Sequence, residues 1–265
     1  MPQLTANGIR IAYQRSGTGE NVLMIMGSGA AGHVWSTYQT PALHRAGYHT
    51  ITFNNRGIPP TDAPEGRYTL DQMVADTRGL IEALGVGPCR IVGYSLGAMI
   101  AQELAVKWPG LVRSAVLVAT RARPDVLRRA QMAADRALQE SGLKLPRNYD
   151  AVTTAMQMLS PATLNNDAVV SSWLEVLELA GDTGATGQAF VDLSTDRRTL
   201  LRTVTAPCRV IAFSDDLIAP PHLGAEVAEA MPNSDYVEIS QCGHLGHLER
   251  PDEVNAAIIE FLDKY

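Results

Sequence analysis

The sequence predicts an α/β protein, a mostly parallel sheet with helices on both faces, interrupted by a block of helices. Three observations carry this reading. Residues 1–123 alternate short apolar runs bounded by glycine with segments of helical period, the pattern of strands joined by crossover helices. Residues 124–201 hold three helical stretches and no apolar strand. The alternation then resumes at Cys208 and runs to the last helix. The chain therefore reads as one core domain built from 1–123 and 202–265, with 124–201 inserted as a helical cap.

Each element has a local reason. Residues 3–5 and 9–15, separated by Asn7-Gly8, form the signature of a hairpin. The run over 21–26, apolar from Val22 onward, ends in Gly27-Ser28-Gly29, as befits a strand buried on both faces. Residues 49–53 are the next strand. Thr69 and Gln72 have the spacing of a capping box, and Leu70, Met73, Val74, Leu80, Ile81 and Leu84 keep helical period until Gly85. A strand over 89–92, a helix from Leu96 to about Trp108 and a strand over 114–119 follow. The insertion reads as helices over 125–140, 151–159 and 168–179. A strand over 208–213, a helix over 222–230, a strand over 236–239 and a helix over 251–263 complete the chain. Pro251 suits the first helical turn, where its missing N–H is not needed.

Composition excludes several classes of function. Of the 265 residues 46% are hydrophobic and 19% charged, ordinary values for a globular protein. A formal net charge of -6 is a poor match for nucleic acid. The densest basic cluster, Arg121, Arg123, Arg128 and Arg129, alternates with apolar residues and reads as a solvated helix face. No apolar run reaches the ~18 residues that a membrane span requires, and the first residues carry no secretion signal. The three cysteines, Cys89, Cys208 and Cys242, read as reduced thiols of a cytoplasmic protein. No Cys/His spacing matches a metal site, and no cofactor motif is present. The expected partner is a small-molecule substrate, with no nucleic acid and no membrane; monomer and homodimer both stay open.

Gly93-Tyr94-Ser95-Leu96-Gly97 fits G-x-S-x-G. By itself the pattern is weak, but here it directly follows a strand and opens a helix. A serine on such a turn projects beyond the sheet edge beside the positive end of a helix dipole. Serine needs a base, and of six histidines His244 is the best placed, just past the strand over 236–239. His247 is the runner-up. The carboxylate that would orient the histidine is Asp216 or Asp215, both just past the strand over 208–213; Pro220, four residues on, favours Asp216. Parallel strands bring their carboxyl ends to one edge, so Ser95, Asp216 and His244 fall together. The loop Gly27-Ser28-Gly29 can supply an oxyanion donor from the Ser28 N–H, paired with the N–H of Leu96. Gly27, Trp35, Tyr94, Met132, Met156 and Trp173 are expected to line an apolar, adaptable substrate pocket.

On these residues the chain resembles the α/β-hydrolase superfamily over nearly its whole length. Gly93 to Gly97, Asn55-Arg56-Gly57, Asp216 to Pro220, and Gly243-His244 with Glu249-Arg250-Pro251 fall where that family has its motifs. Within it the chain is most similar to the bacterial cofactor-free haloperoxidases, through Phe53 to Ile58, Val74 to Thr77, Ile100 to Leu104 and Asp215 to Pro221. The resemblance implies an α/β-hydrolase fold with an eight-stranded sheet and a cap, the serine, aspartate and histidine roles above, and a need for no cofactor. The triad points to cleavage of an ester, thioester or lactone, and the apolar residues of the insertion to a small to medium apolar substrate. Perhydrolysis on the same triad and a non-hydrolytic lyase or cyclase using His244 as base remain alternatives. There are departures: Met26-Gly27 replaces His-Gly, Leu96 stands where perhydrolytic relatives often carry methionine, and Asn54-Asn55 and Ile58-Pro59-Pro60 alter the loop around Arg56.

Overall fold

The computed structural model describes residues 1–180 and 186–265. Eight strands form one sheet: β1 (Gln3–Ala6), β2 (Ile9–Gly17), β3 (Glu20–Ile25), β4 (Tyr48–Phe53), β5 (Cys89–Tyr94), β6 (Val112–Val118), β7 (Cys208–Phe213) and β8 (Ser234–Ile239). Their spatial order is β1-β2-β4-β3-β5-β6-β7-β8. Only β2 runs against its neighbours; every pair from β4 to β8 is parallel. Asn7 and Gly8 both have positive φ, 47° and 77°, as the predicted tight hairpin requires.

Alternation along the strands fills two cores. In β3, Leu23 and Ile25 face one side of the sheet while Val22 and Met24 face the other. The first side is covered by α2 (Leu70–Leu84) and α3 (Leu96–Lys107), through residues such as Leu80, Ile81, Ile100 and Leu104. The second is covered by α1 (Gln39–Arg45), through Leu43, and by the C-terminal helix over Pro251–Lys264, through Val254, Ile258 and Phe261. The Thr69 capping box forms as expected, its hydroxyl accepting from the Gln72 N–H and the Gln72 side chain accepting from the Thr69 N–H. Helix α1 is an element the sequence reading lacks. It is only seven residues long and carries Pro41 in its first turn, a pattern too short to show periodicity.

Between β6 and β7 the described chain is helical: α4 (Val126–Ser141), α5 (Arg147–Met158), α6 (Pro161–Leu164), α7 (Asp167–Ala180), a short 3-10 turn over Thr186–Phe190, and α8 (Arg198–Leu201). After β7 come α9 (Pro221–Ala230), α10 (Gly246–Glu249) beyond β8, and the C-terminal helix, α11. Among the described residues no helix is long and apolar enough to cross a membrane. The chain steps leftward from β3 to β4 and then returns to place β5 on the other side of β3. That reversal leaves a crevice at the carboxyl ends of β3 and β5, the usual place for a ligand in an open α/β sheet.

Candidate active site

Ser95 sits in this crevice. It joins β5 to α3 with φ 53° and ψ -115°, a conformation that L-residues rarely adopt. The turn closes only because of its flanking glycines. A Cβ on Gly93 would lie 2.5 Å from the Gly97 carbonyl oxygen, and a Cβ on Gly97 would lie 2.1 Å from that of Ile25. The Ser95 N–H donates to the Val118 carbonyl at 2.9 Å, tying the turn to β6.

Two further strand ends deliver the partners. His244 Nε2 lies 3.0 Å from Ser95 Oγ, and Nδ1 lies 2.7 Å from Asp216 Oδ2. Asp216 Oδ1 accepts from the N–H groups of Ile218 and Ala219, both at 2.8 Å. Burial pushes the Asp216 carboxyl upward, but the imidazole charge and these hydrogen bonds outweigh it and hold the group below the ordinary carboxylate range. Among the described residues Asp215 makes no side-chain hydrogen bond and donates its backbone N–H to the Cys242 carbonyl, so the geometry selects Asp216. The sheet thus brings all three candidate catalytic side chains into one hydrogen-bonded row.

His247 is not in that row. It is buried between Trp35 and Tyr94, with ring centroids 5.6 and 4.3 Å away, and neither of its nitrogens has a hydrogen-bond partner among the described residues. Burial, with the nearby His244, lowers it to about 3, so it stays neutral. Tyr94 donates from its hydroxyl to the His244 carbonyl at 2.9 Å, and burial holds that hydroxyl well above its usual value. Tyr94 and His247 together support the histidine loop from below. Among the described residues no three His, Cys, Asp or Glu side chains are grouped as a metal would require.

The loop after β3, the candidate oxyanion loop, is pinned at three points. Asn55 donates from Nδ2 to the Met26 carbonyl at 3.0 Å, and Asn54 Oδ1 accepts from the Gly32 N–H at 2.8 Å. Gln188 Oε1 accepts from the Gly29 N–H at 2.9 Å, while its Nε2 donates to the Arg56 carbonyl at 2.7 Å. Arg56 is itself held by Asp76. The two asparagines thus do structural work where the family usually has another residue. A Cβ on Gly27 would be 3.2 Å from that of Ser95, so the loop passes directly beside the serine. Ser28 and Leu96 share a cavity with Ser95, and Leu96 opens α3, where first-turn N–H groups have no intrahelical acceptor. Gln188 was missed in the sequence because it lies in the insertion, far from any motif.

The cavity corrects the expected pocket. It measures about 240 Å³ and is lined by Met132 as expected, but also by Arg121, Arg128, Asp135, Arg136 and Gln188. Trp35 is fully buried, stacked edge-on against Tyr94, and does not line it. Met156 is 61% exposed, and Trp173 also lies away from the cavity. Nor are Arg121 and Arg128 part of a solvated helix face. Arg121 is buried on the connection before α4, and one stripe of α4 at helical spacing borders the cavity, with half-buried Arg128 and Met132 deeper and exposed Asp135, Arg136 and Gln139 at its rim. That period was present in the sequence, masked by the polarity of the stripe. Adjoining it, and sharing Ser28, Ser95, Arg128, Asp135 and Ile218, a second cavity of about 360 Å³ is lined by Met26, Tyr94, His244, Leu245 and Leu248.

A strand-to-helix serine, a histidine and a buried aspartate, gathered at the switch point of a parallel sheet, define the α/β-hydrolase class. Residues 20–251 match the model of the alpha/beta hydrolase fold family, and the chain belongs to that family. It is 45% identical over 256 residues, 96% of this chain and 97% of the relative, to the Mycobacterium tuberculosis protein named "Putative non-heme bromoperoxidase BpoC". The crystal structure of that protein superposes with a TM-score of 0.92 over 96% of both chains. A thermophilic esterase from Thermogutta terrifontis is 25% identical with a TM-score of 0.83, covering 100% of this chain and 99% of its own.

Proposed function

We propose that the protein is a serine hydrolase of ester-type bonds, an ester, thioester or lactone, working through an acyl-enzyme on Ser95. The observation that carries the reading is the row Ser95 Oγ, His244, Asp216, at 3.0 and 2.7 Å, on a strained elbow. His244 takes the serine proton as Oγ attacks the carbonyl carbon. The oxyanion forms between the N–H groups of Ser28 and Leu96, each worth about 3 kcal/mol to the transition state. His244 then gives its proton to the leaving alcohol, thiol or enol, and next activates the water that releases the acid. The insertion acts as a cap that sets specificity, walling the site through α4, the end of α5 and residues 188–193. The likeness to an esterase supports this reading at the level of chemistry.

The test is reaction with a fluorophosphonate, read as intact mass and labelled peptide. Rapid labelling of Ser95, lost in Ser95→Ala, is expected; a folded protein that stays unlabelled overturns the acyl-enzyme. A second reading, perhydrolysis, is favoured by the likeness to a bromoperoxidase. Here peroxide replaces water at the acyl-enzyme and yields a peracid that oxidises halide. That reading requires halide oxidation to depend on carboxylic acid, peroxide and Ser95 together.

A further inference from the structure

The buried arginines of this protein follow a rule with one exception. Arg56 holds Asp76, Arg90 holds Glu20, Arg197 holds Glu103 and Arg209 holds Asp235. Arg121, 5% exposed, holds no carboxylate among the described residues. Its Nη2 meets only the Met132 sulfur at 3.9 Å, and its Nε has no partner. Half-buried Arg128 is in the same state, with one long contact of 3.4 Å from Nη1 to Gln131 and an unpartnered Nε. Both line the first cavity beside Ser95; Arg121 lines that cavity alone, while Arg128 stands where it meets the second. Burial lowers Arg121 to about 10, which leaves it charged at neutral pH. Carboxylates act on them only through space, Asp216 and Asp125 on both and Asp135 on Arg128, and a buried guanidinium with no carboxylate in hydrogen-bond contact is costly. Asp135 and Arg136, on the outer rim, are exposed, and Asp135 makes no salt bridge to either arginine. Asp216 is committed to His244, and Asp125 caps α4 and meets His222.

Which half of the substrate fills this cavity follows from proton transfer. The leaving group receives its proton from His244, so it must lie against that side chain. His244 lines the second cavity, with Tyr94, Met26 and Leu245, and does not line the first. The acyl chain therefore enters the first. We propose that this acyl chain carries a carboxylate at its far end, gripped by Arg121 and Arg128: the substrate is a half-ester, half-thioester or carboxylated lactone rather than a neutral apolar ester. A planar carboxylate accepts paired N–H groups from a guanidinium, and neither of these two is engaged with another carboxylate. This inference rests on the acyl-enzyme reading for its acyl side and on the arginine cavity for its charge.

The test compares monoethyl esters of the straight-chain dicarboxylic acids from succinic to suberic with the matching diethyl esters, at equal ionic strength. At the preferred chain length the half-ester is expected to exceed the diester in kcat/KM by about tenfold or more, the worth of a charge-assisted hydrogen bond. Arg128→Gln should collapse that ratio, chiefly by raising KM for the half-ester, and Arg128→Lys should restore part of it. Arg121→Met should do the same if it folds; Arg128 lies on an exposed-sided helix and serves as the safer site. A ratio near one in the wild type, or a ratio unchanged by Arg128→Gln, overturns the proposal. A preference instead for carboxymethyl butyrate, whose charge lies on the alcohol side, also overturns it. If fluorophosphonate leaves Ser95 unlabelled and no ester turns over, the acyl-enzyme reading has failed, and anion recognition is read by binding alone. Glutarate and its homologues should then raise Tm in the wild type and not in Arg128→Gln; no shift with any of them overturns the proposal.

Discussion

Replacing Asp216 by asparagine tests the site at its most determined atom. Every acceptor of this carboxylate is assigned: Oδ1 takes the N–H groups of Ile218 and Ala219, and Oδ2 faces His244 Nδ1. In Asp216→Asn the single carbonyl oxygen must stay on the two amides, because an NH2 group there would meet two donors. The NH2 then points at Nδ1, which must become an acceptor. The imidazole proton moves to Nε2 and points at Ser95 Oγ, where the base should be. The imidazolium of the transition state also loses its buried counter-charge. Loss of correct tautomer and charge together is worth about 10,000-fold in kcat at neutral pH, or about 5 kcal/mol. KM should change little, since Asp216 lines neither cavity beside Ser95. The assay is kcat on a neutral ester together with the rate of fluorophosphonate labelling of Ser95; both should fall in parallel. A loss below about tenfold would show that the aspartate does not set the histidine tautomer, and the proton-transfer scheme would go with it.

Ser95→Gly should be inactive yet more stable by about 1 kcal/mol in urea unfolding, because glycine relieves the strained φ of 53° at a smaller entropic cost. His247→Phe loses no hydrogen bond, since neither ring nitrogen has a partner among the described residues. A histidine lowered from 6.5 to about 3 on folding stabilises the protein above the unfolded value and loses that contribution as pH falls towards the folded one. Between pH 6.5 and 3 the wild type should therefore lose about 1.4 kcal/mol per pH unit relative to His247→Phe, read as the gap between their Tm curves; parallel curves would contradict the neutral assignment. Gln188→Leu leaves the Gly29 N–H and the Arg56 carbonyl without their partner, and the loop beside Ser95 should shift. A drop of about 10- to 100-fold in kcat on a neutral ester is expected, with circular dichroism showing a retained fold.

How much of this was legible follows from where each signal lives. Strand β5, the elbow and α3 are contiguous, so local apolar runs and glycines announce them, and Ser95 could be named at once. Asp216 and His244 were found because parallel strands end together, a rule that needs only chain order. The choice of Asp216 over Asp215 was only favoured until the amides of Ile218 and Ala219 settled which carboxylate turns inward. The pocket was a different problem. The sequence reading sought apolar residues in the insertion, and hydrophobicity pointed to Met156 and Trp173. What faces Ser95 is decided by how α4 rolls against the sheet, a tertiary choice that composition does not encode. Arg121 and Gln188 are buried for reasons of partner and cavity, and buried polar residues look like surface ones in a linear string.

The helical block between β6 and β7 is fastened unevenly. Glu249, at the end of α10, accepts from the Gly243 N–H at 2.7 Å with one oxygen. Its other oxygen accepts from the Ser160 N–H at 3.0 Å and the Thr163 hydroxyl at 2.5 Å. The Leu245 N–H donates to the Met158 carbonyl at 3.0 Å. The junction of α5 and α6 is thus bonded directly to the histidine loop, and lifting it would dismantle the base. Among the described residues helix α4 has no buried anchor of this kind, only the exposed pair Arg67–Glu140, and it buries none of its residues fully. Few buried contacts mean a low free energy of local opening. Amide exchange should therefore be faster along α4 than along α5, and a bound dicarboxylate should slow it in α4 first, because that helix carries Arg128 while Arg121 stays with the sheet. Equal exchange in the two helices, or slowing confined to α5, would place the moving element elsewhere and leave the arginine pair as a rigid site.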